Sequence, residues 1–233
     1  MANKTIVFGD IHGLDFWKKS VEQNPDADFI FLGDYLDPYS DIPNKVLVDN
    51  LREIIKLKKL RPDNVVLLFA NHDLHYITDE IANAGRYNYE IAHVVAKLFE
   101  DNKNIFQYAY QKGKTIFTHA GITNAWFRED FKGDPNKNIA EQLNNPTPKQ
   151  LKALYQCGRG RGGSHKNSGI FWADICELAE DPLENYWQIV GHSQVEEITV
   201  FRNKEKGTKV IFCDSMSIEE KSYVVKSFGK RKY

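Results

Sequence analysis

The chain is poor in cysteine, and the three it has are too far apart to staple it. Cys157, Cys176 and Cys213 form no Cys-x-x-Cys pair, and their number is odd. That excludes a disulfide framework and a thiolate zinc knuckle, and leaves buried, reduced thiols as the expectation. Charge of one sign is also missing, since 31 Lys+Arg stand against 32 Asp+Glu for a net charge of -1. Without a broad basic field, no dedicated nucleic-acid binding is expected. No apolar run approaches the roughly 20 residues that cross a bilayer, so no membrane association is expected. Residues Met1–Phe8 enter a strand pattern with no signal-peptide core, and a cytoplasmic location is expected. There is no internal repeat or low-complexity tract. Gly113-Lys114-Thr115 has the ending of a phosphate-binding loop, but position 108 is Tyr rather than Gly and a strand pattern follows, so that reading fails.

What is present is an ordinary globular composition, 42% hydrophobic and 27% charged over 233 residues, enough for one α/β domain with a sizeable core. The informative stretch is Phe29–Asp37, an apolar run closed by Gly33 with Asp34 directly after it. A short apolar run ending in a breaker reads as a buried strand, and a residue just past its carboxyl end lies where open α/β sheets bind ligands. The same arrangement recurs. Thr5–Phe8 leads to Asp10 and His12, Val65–Phe69 to Asn71-His72-Asp73, Thr115–Thr118 to His119, and Trp187–Val190 to His192. Helical spacing is expected over Phe16–Gln23, Lys45–Leu60, Tyr89–Glu100, Asn138–Leu143 and Pro148–Tyr155. The opening therefore reads β-α-β-α-β with parallel strands and right-handed crossovers. Ile105–Tyr110 and Thr115–Thr118 read as a hairpin about Gln111–Lys114. Ile198–Phe201, Lys209–Cys213 and Ser222–Val225 read as closing antiparallel strands. One domain spans 1–233, with 123–167 as a cap-like insertion over the site.

Asp10, His12, Asp34, Asn71, His119 and His192 are the candidates, because strand ends on one edge of a sheet converge however far apart they are in sequence. Taken singly, each aspartate is an ordinary turn former and each histidine an ordinary interior one. Together, oxygen and imidazole donors suit Mn²⁺, Fe or Zn²⁺ rather than Ca²⁺. Six are too many for one zinc with an open position, and suit two metals sharing a carboxylate. His75, His93 and His165 fit no such pattern and are expected to be structural. Trp17, Trp126 and Trp187 are expected to pack, and Trp172 to line the cleft.

Gly9-Asp10-Ile11-His12-Gly13, Gly33-Asp34-Tyr35-Leu36-Asp37, Asn71-His72-Asp73, His119-Ala120-Gly121 and Gly191-His192 together resemble, in order, the five motifs of the calcineurin-like metallophosphoesterases. The likeness is greatest to the branch of phosphoprotein phosphatases, bacteriophage-type phosphatases and diadenosine tetraphosphatases. The resemblance implies an α/β (α+β) fold of two mixed β-sheets packed as a sandwich and flanked by helices, with a dimetal site at the strand ends. It gives Asp10, His12 and Asp34 to one metal and Asp34, Asn71, His119 and His192 to the other. Asp34 would bridge two divalent ions, with manganese expected and iron or zinc as alternatives. His72 would be the general acid and Asp37 the carboxylate that orients it. The implied reaction is hydrolysis of a phosphomonoester, with phosphoprotein Ser, Thr or Tyr as the expected substrate, by a metal-bridging hydroxide. A dinucleoside-polyphosphate or nucleotide hydrolase and a catalytically silent binding protein are the alternatives.

The chain departs from the family pattern in four places. Ala70 stands where Gly is common, and Asp73 where Glu is usual. Pro38 occupies the position of a substrate-binding Arg. Ser193-Gln194 follows His192 where many phosphodiesterases carry a second histidine, which favours monoesters. Another cation must then hold the substrate phosphate. Arg161 and Arg159 are the expected substrate-binding residues, Arg161 first, with Arg86 and Arg52 as further candidates.

Overall fold

The structure, a computed structural model, describes residues 4–217, 221–226 and 228. In chain order the elements are β1 (Thr5–Phe8), α1 (Phe16–Gln23), β2 (Asp28–Phe31), α2 (Asn44–Leu60), β3 (Val65–Leu68), α3 (Asn71–Leu74), α4 (Ala92–Asp101), β4 (Phe106–Gln107), β5 (Ala109–Lys112), β6 (Thr115–Thr118), α5 (Ile139–Asn144), α6 (Pro148–Leu154), α7 (Ile175–Glu180), β7 (Trp187–Val190), β8 (Thr199–Asn203), β9 (Thr208–Phe212) and β10 (Ser222–Val224). They build two mixed five-stranded sheets, β10-β1-β2-β3-β4 and β5-β6-β7-β9-β8. The expected parallel opening is present, since β1, β2 and β3 pair side by side in parallel.

Alternation of side chains along each strand explains the layering. Val7, Ile30, Leu32 and Leu68 point one way and pack with Phe117, Ile189, Ile211 and Cys213 of the second sheet, which forms the inside of the sandwich. Their neighbours Ile6, Phe8, Phe29, Phe31, Val65 and Leu67 point the other way. They bury Trp17 of α1, Leu47, Leu51 and Ile54 of α2, and Val95 and Phe99 of α4. On the far face of the second sheet, Val190, Val210 and Phe212 meet Leu178 of α7. Covered on both faces, the parallel strands β1, β2 and β3 of the first sheet are apolar but for Thr5 and Asp28 at their starts.

Three expectations are corrected. The strand over Ile105–Tyr110 is two strands: β4 pairs with β3 in parallel in the first sheet, and β5 pairs with β6 antiparallel in the second. The chain changes sheet at Tyr108, whose backbone amide, with that of Ala109, is held by the Asn144 side chain. Of the closing strands, β8 with β9 and β10 with β1 are antiparallel, but β9 joins β7 in parallel. That pairing puts the carboxyl end of β9 beside those of β6 and β7. The thiols are unpaired, but Cys176 is exposed rather than buried.

Candidate active site

Every residue of the site follows a parallel strand. Asp10 and His12 come after β1, Asp34 and Asp37 after β2, and Asn71 and His72 on α3 after β3. His119 comes after β6 and His192 after β7. The Asp10 carboxylate joins the two sheets at this edge by accepting the His192 amide (3.0 and 3.1 Å), and within the second sheet Gly191 N–H donates to the His119 carbonyl (2.8 Å). A side chain at Gly191 would place its Cβ 2.1 Å from Asp10 Oδ1. Only glycine leaves room for that carboxylate.

The backbone is strained here. His12, Asp34, Asp37 and His192 all have positive φ (45°, 51°, 56° and 63°), a region that side chains with a Cβ seldom occupy and that clusters at functional sites. Asp73 holds one of these turns in place. Buried on α3, its carboxylate accepts the backbone amides of Asp34, Tyr35 and Ala70, each at 3.0 Å. Gly33 has φ +103°, and a Cβ there would lie 2.5 Å from the Ala70 Cβ. The departures at positions 70 and 73 therefore still give a working clamp.

Five of the six candidates meet in one place, and Asn71 precedes His72, whose amide donates to Asp34. Asp10, His12 and Asp34 offer ligand atoms all within 4.8 Å of one another. Asp34 Oδ1 accepts the His72 amide (3.1 Å), so Oδ2 is left facing His12 Nε2 (3.6 Å) and His119 Nε2 (3.7 Å). His12 Nδ1 donates to the Leu36 carbonyl and His119 Nδ1 to the Leu32 carbonyl (2.8 and 3.0 Å). A carbonyl can only accept, so each proton sits on Nδ1 and each Nε2 lone pair faces inward. His192 Nδ1 lies 3.2 Å from His119 Nε2, the spacing of two imidazoles converging on one cation.

Two observations show that divalent cations fit. Asn71 Oδ1 is buried and makes no hydrogen bond, which is costly unless a further group engages it. Burial, followed by the nearby Asp214 and Asp34 charges, raises the Asp10 carboxyl well above its ordinary value, and burial followed by the Asp73 charge does the same to Asp34. Massed carboxylates that resist ionising are relieved by a cation. Burial lowers His12 and His119 to about 3, so both are neutral and able to ligate.

Beside this cluster lies the pair expected to handle a proton. His72 Nδ1 is 2.8 Å from Asp37 Oδ2, and the His72 and His12 rings stand 5.4 Å apart. Burial pushes the Asp37 carboxyl up, but bonds from His72, His75 and Tyr76 outweigh it and leave it below its usual value. Burial lowers His72, and Asp37 partly offsets that. Asp37, His72 and His75 also lie within metal-ligand reach of one another. Asp37, however, already accepts from His72 and from the Tyr76 hydroxyl (2.5 Å), which makes it a hydrogen-bond hub.

The remaining candidates are spread out. Arg161 is half-buried. Its Nη2 donates to Ser193 Oγ (2.6 Å) and its Nε lies 2.9 Å from Asp174 Oδ2, which holds it beside His192. Arg159 is exposed on the same turn, and Arg52 is exposed and paired with Asp49. Trp172 is buried 5.8 Å from the His192 ring, and His93 and His165 are exposed. His75 departs from its structural expectation, with Nε2 2.8 Å from Asp37 Oδ2. Sequence reasoning also missed Asp214, buried after β9, whose carboxyl burial raises to about 6. The rule that found Asp34, a carboxylate just past an apolar run, applies to it equally.

The comparisons agree with this geometry. A family model described as calcineurin-like phosphoesterase matches residues 4–198. The comparison with curated proteins found no match. Among solved structures, a cold-active protein-tyrosine phosphatase of a psychrophilic Shewanella species superposes with TM-score 0.56 at 17% identity, over 93% of this chain and 72% of that one. A protein serine/threonine phosphatase from Saccharomyces cerevisiae gives 0.55 at 15% identity, over 91% and 69%. At these identities the likeness is one of fold.

Proposed function

This chain belongs to the calcineurin-like phosphoesterases, and from that premise we propose that it is a dimetal-dependent phosphatase acting on phosphomonoesters, with phosphorylated Ser, Thr or Tyr in proteins as the substrate. The observation that carries the reading is the placement of the His72–Asp37 pair against the Asp10, His12 and Asp34 cluster. Asp10, His12 and Asp34 would hold one cation, and Asp34, Asn71, His119 and His192 the other, with Mn²⁺ the expected metal. When bound, two such ions supply Lewis acidity and an ionised water at neutral pH.

The chain's own residues do the rest. Asp34, whose Oδ2 lies between His12 and His119, would be the carboxylate shared by both cations. His72 holds its Nδ1 proton toward Asp37, so Nε2, beside Arg86, is the atom that would protonate the departing alkoxide. Asp37 supports the imidazolium while that proton is in place. Ser193 and Gln194 supply no second imidazole to the first cation, which supports monoesters over diesters. The two structural neighbours are named as a protein-tyrosine phosphatase and a protein serine/threonine phosphatase, which supports a phosphoprotein substrate.

The test is phosphate release from a panel of phosphopeptides, nucleotides and dinucleotides with Mn²⁺, for the wild type and Asp34→Asn. Turnover of phosphopeptides by the wild type, with the variant at background, is expected. Nucleoside products without peptide turnover would replace this reading with a nucleotide hydrolase. No turnover above the variant on any substrate would sink it.

A further inference from the structure

Pro38 has no side-chain donor, yet a guanidinium stands next to it, delivered from another part of the chain. Arg86 Nε donates to the backbone carbonyl of Asp37 (3.0 Å), and its Nη2 lies 3.4 Å from His72 Nε2. Its guanidinium carbon sits 3.8 Å from the centroid of the Tyr39 ring, which in turn meets the His12 ring edge-on at 4.8 Å. We infer that Arg86 is the substrate-phosphate ligand of this site, supplying from the loop after α3 the guanidinium that position 38 lacks. The inference rests on the phosphatase reading above and adds a residue to it.

Three features support this. First, Arg86 is anchored without being neutralised. Among the described residues its contacts are a carbonyl oxygen, an imidazole and the side chain of Tyr39, none of which is an acidic group. An exposed arginine normally swings freely and loses entropy when it binds. This one is already held by a hydrogen bond and a stacking contact, so it is pre-organised. Second, its location is specific. The nitrogen it approaches is the one from which His72 would give its proton, so a phosphate ester whose leaving oxygen meets His72 would bring a phosphoryl oxygen to Arg86. Planar, paired N–H donors suit that bidentate contact. Third, the backbone is strained to deliver it, with φ +50° at Arg86 and +79° at the preceding Gly85. A left-handed arginine on a surface loop is unusual unless its side chain must be aimed. Arg161, by contrast, has its Nε 2.9 Å from Asp174 and its Nη2 on Ser193.

The test is calorimetric binding of inorganic phosphate to the Mn²⁺-loaded protein, comparing wild type with R86G and R86K. Glycine accepts φ +50° without strain, and lysine keeps the charge but not the fork. R86G should bind phosphate about tenfold to a hundredfold more weakly, the range for losing one charge-assisted contact. R86K should fall between, added guanidinium ion should restore part of the R86G affinity, and R52A should match the wild type. Unchanged phosphate affinity in R86G, or no phosphate binding by the wild type, would overturn the assignment. Turnover enters neither readout. A protein that binds phosphate through Arg86 but hydrolyses no ester would overturn the phosphatase reading and leave Arg86 standing.

Discussion

Replacing Asp37 by Asn separates the proton-transfer pair from the metal cluster. The change is nearly isosteric, and asparagine tolerates φ +56° at least as well as aspartate, so the backbone has no reason to move. What changes is charge. Asp37 accepts from His72 Nδ1 at 2.8 Å and from the Tyr76 hydroxyl at 2.5 Å, and it lies 2.8 Å from His75 Nε2. A hydrogen bond to an ionised partner contributes about 1.5–3 kcal/mol, and general acid catalysis about 10²–10⁴-fold. An amide oxygen still accepts the Nδ1 proton but does not stabilise the imidazolium. The expected loss in kcat is about 10²-fold, near 2.7 kcal/mol, for an alkyl phosphate, whose poor leaving group needs the proton. For an activated aryl phosphate the loss should be less than about tenfold. The pH profile gives a second check. His72 must be protonated to act, so the rate falls as pH rises through its pKa. Burial already lowers that pKa and Asp37 raises it. Without the carboxylate, the basic limb moves to lower pH. Steady-state kinetics on both esters from about pH 5 to about pH 9 would show it. Equal losses on the two substrates with an unmoved basic limb would refute the role given to His72.

Other predictions follow from the same geometry. Asp73→Ala leaves the buried amides of Asp34, Tyr35 and Ala70 without their acceptor; at about 1–3 kcal/mol each, stability in urea should fall by about 3–9 kcal/mol, and a loss below about 1 kcal/mol would show that the clamp is unimportant. Gly191→Ala drives a methyl into Asp10 Oδ1, so Mn²⁺ affinity should drop at least about tenfold while circular dichroism stays unchanged; wild-type affinity in a metal titration would contradict it. Chelating the metal should lower Tm by an amount that grows from about pH 5 to about pH 8. The sign follows from Asp10 and Asp34. Their folded pKa values are raised, so in the metal-free protein their stabilising contribution is full below about pH 4 and is lost as pH rises, whereas a bound cation favours the ionised form. His12 and His119, lowered to about 3, stay neutral across that window and do not alter the trend. A gap in Tm that narrows with pH would mean that other groups hold the metal.

The candidate ligands were legible because each is announced locally. A short strand-forming run stops and a donor stands at or just past its end: Asp34, Asn71 and His192 after one glycine or alanine, His119 directly. Asp214 obeys the same rule after β9 and was passed over only because no motif named it. The N-terminus of α7 was equally readable, since Asp174 and Glu177 form a capping box. Arg86 was of another kind. It lies in an irregular loop and was one of four candidate cations, and nothing in Gly85-Arg86-Tyr87 ranks it above Arg161 until the loop is seen lying over Asp37 and Tyr39. His75 likewise reads as a helix-end residue, and only the turn after α3 brings it to Asp37.

By itself the sequence determined which side chains could do chemistry and the edge on which they stand, because strand alternation and turn chemistry are local and act within a few residues. The tertiary structure alone decided how the two halves of the site meet. It split Ile105–Tyr110 between two sheets, since a continuous β-forming stretch carries no mark of which edge is open to it. It set β9 parallel to β7 and so brought Asp214 in behind Asp10. It also placed a distant arginine beside Pro38. Contacts of that kind depend on how layers pack and on which carbonyls are left to accept, and no window of neighbouring residues contains that information.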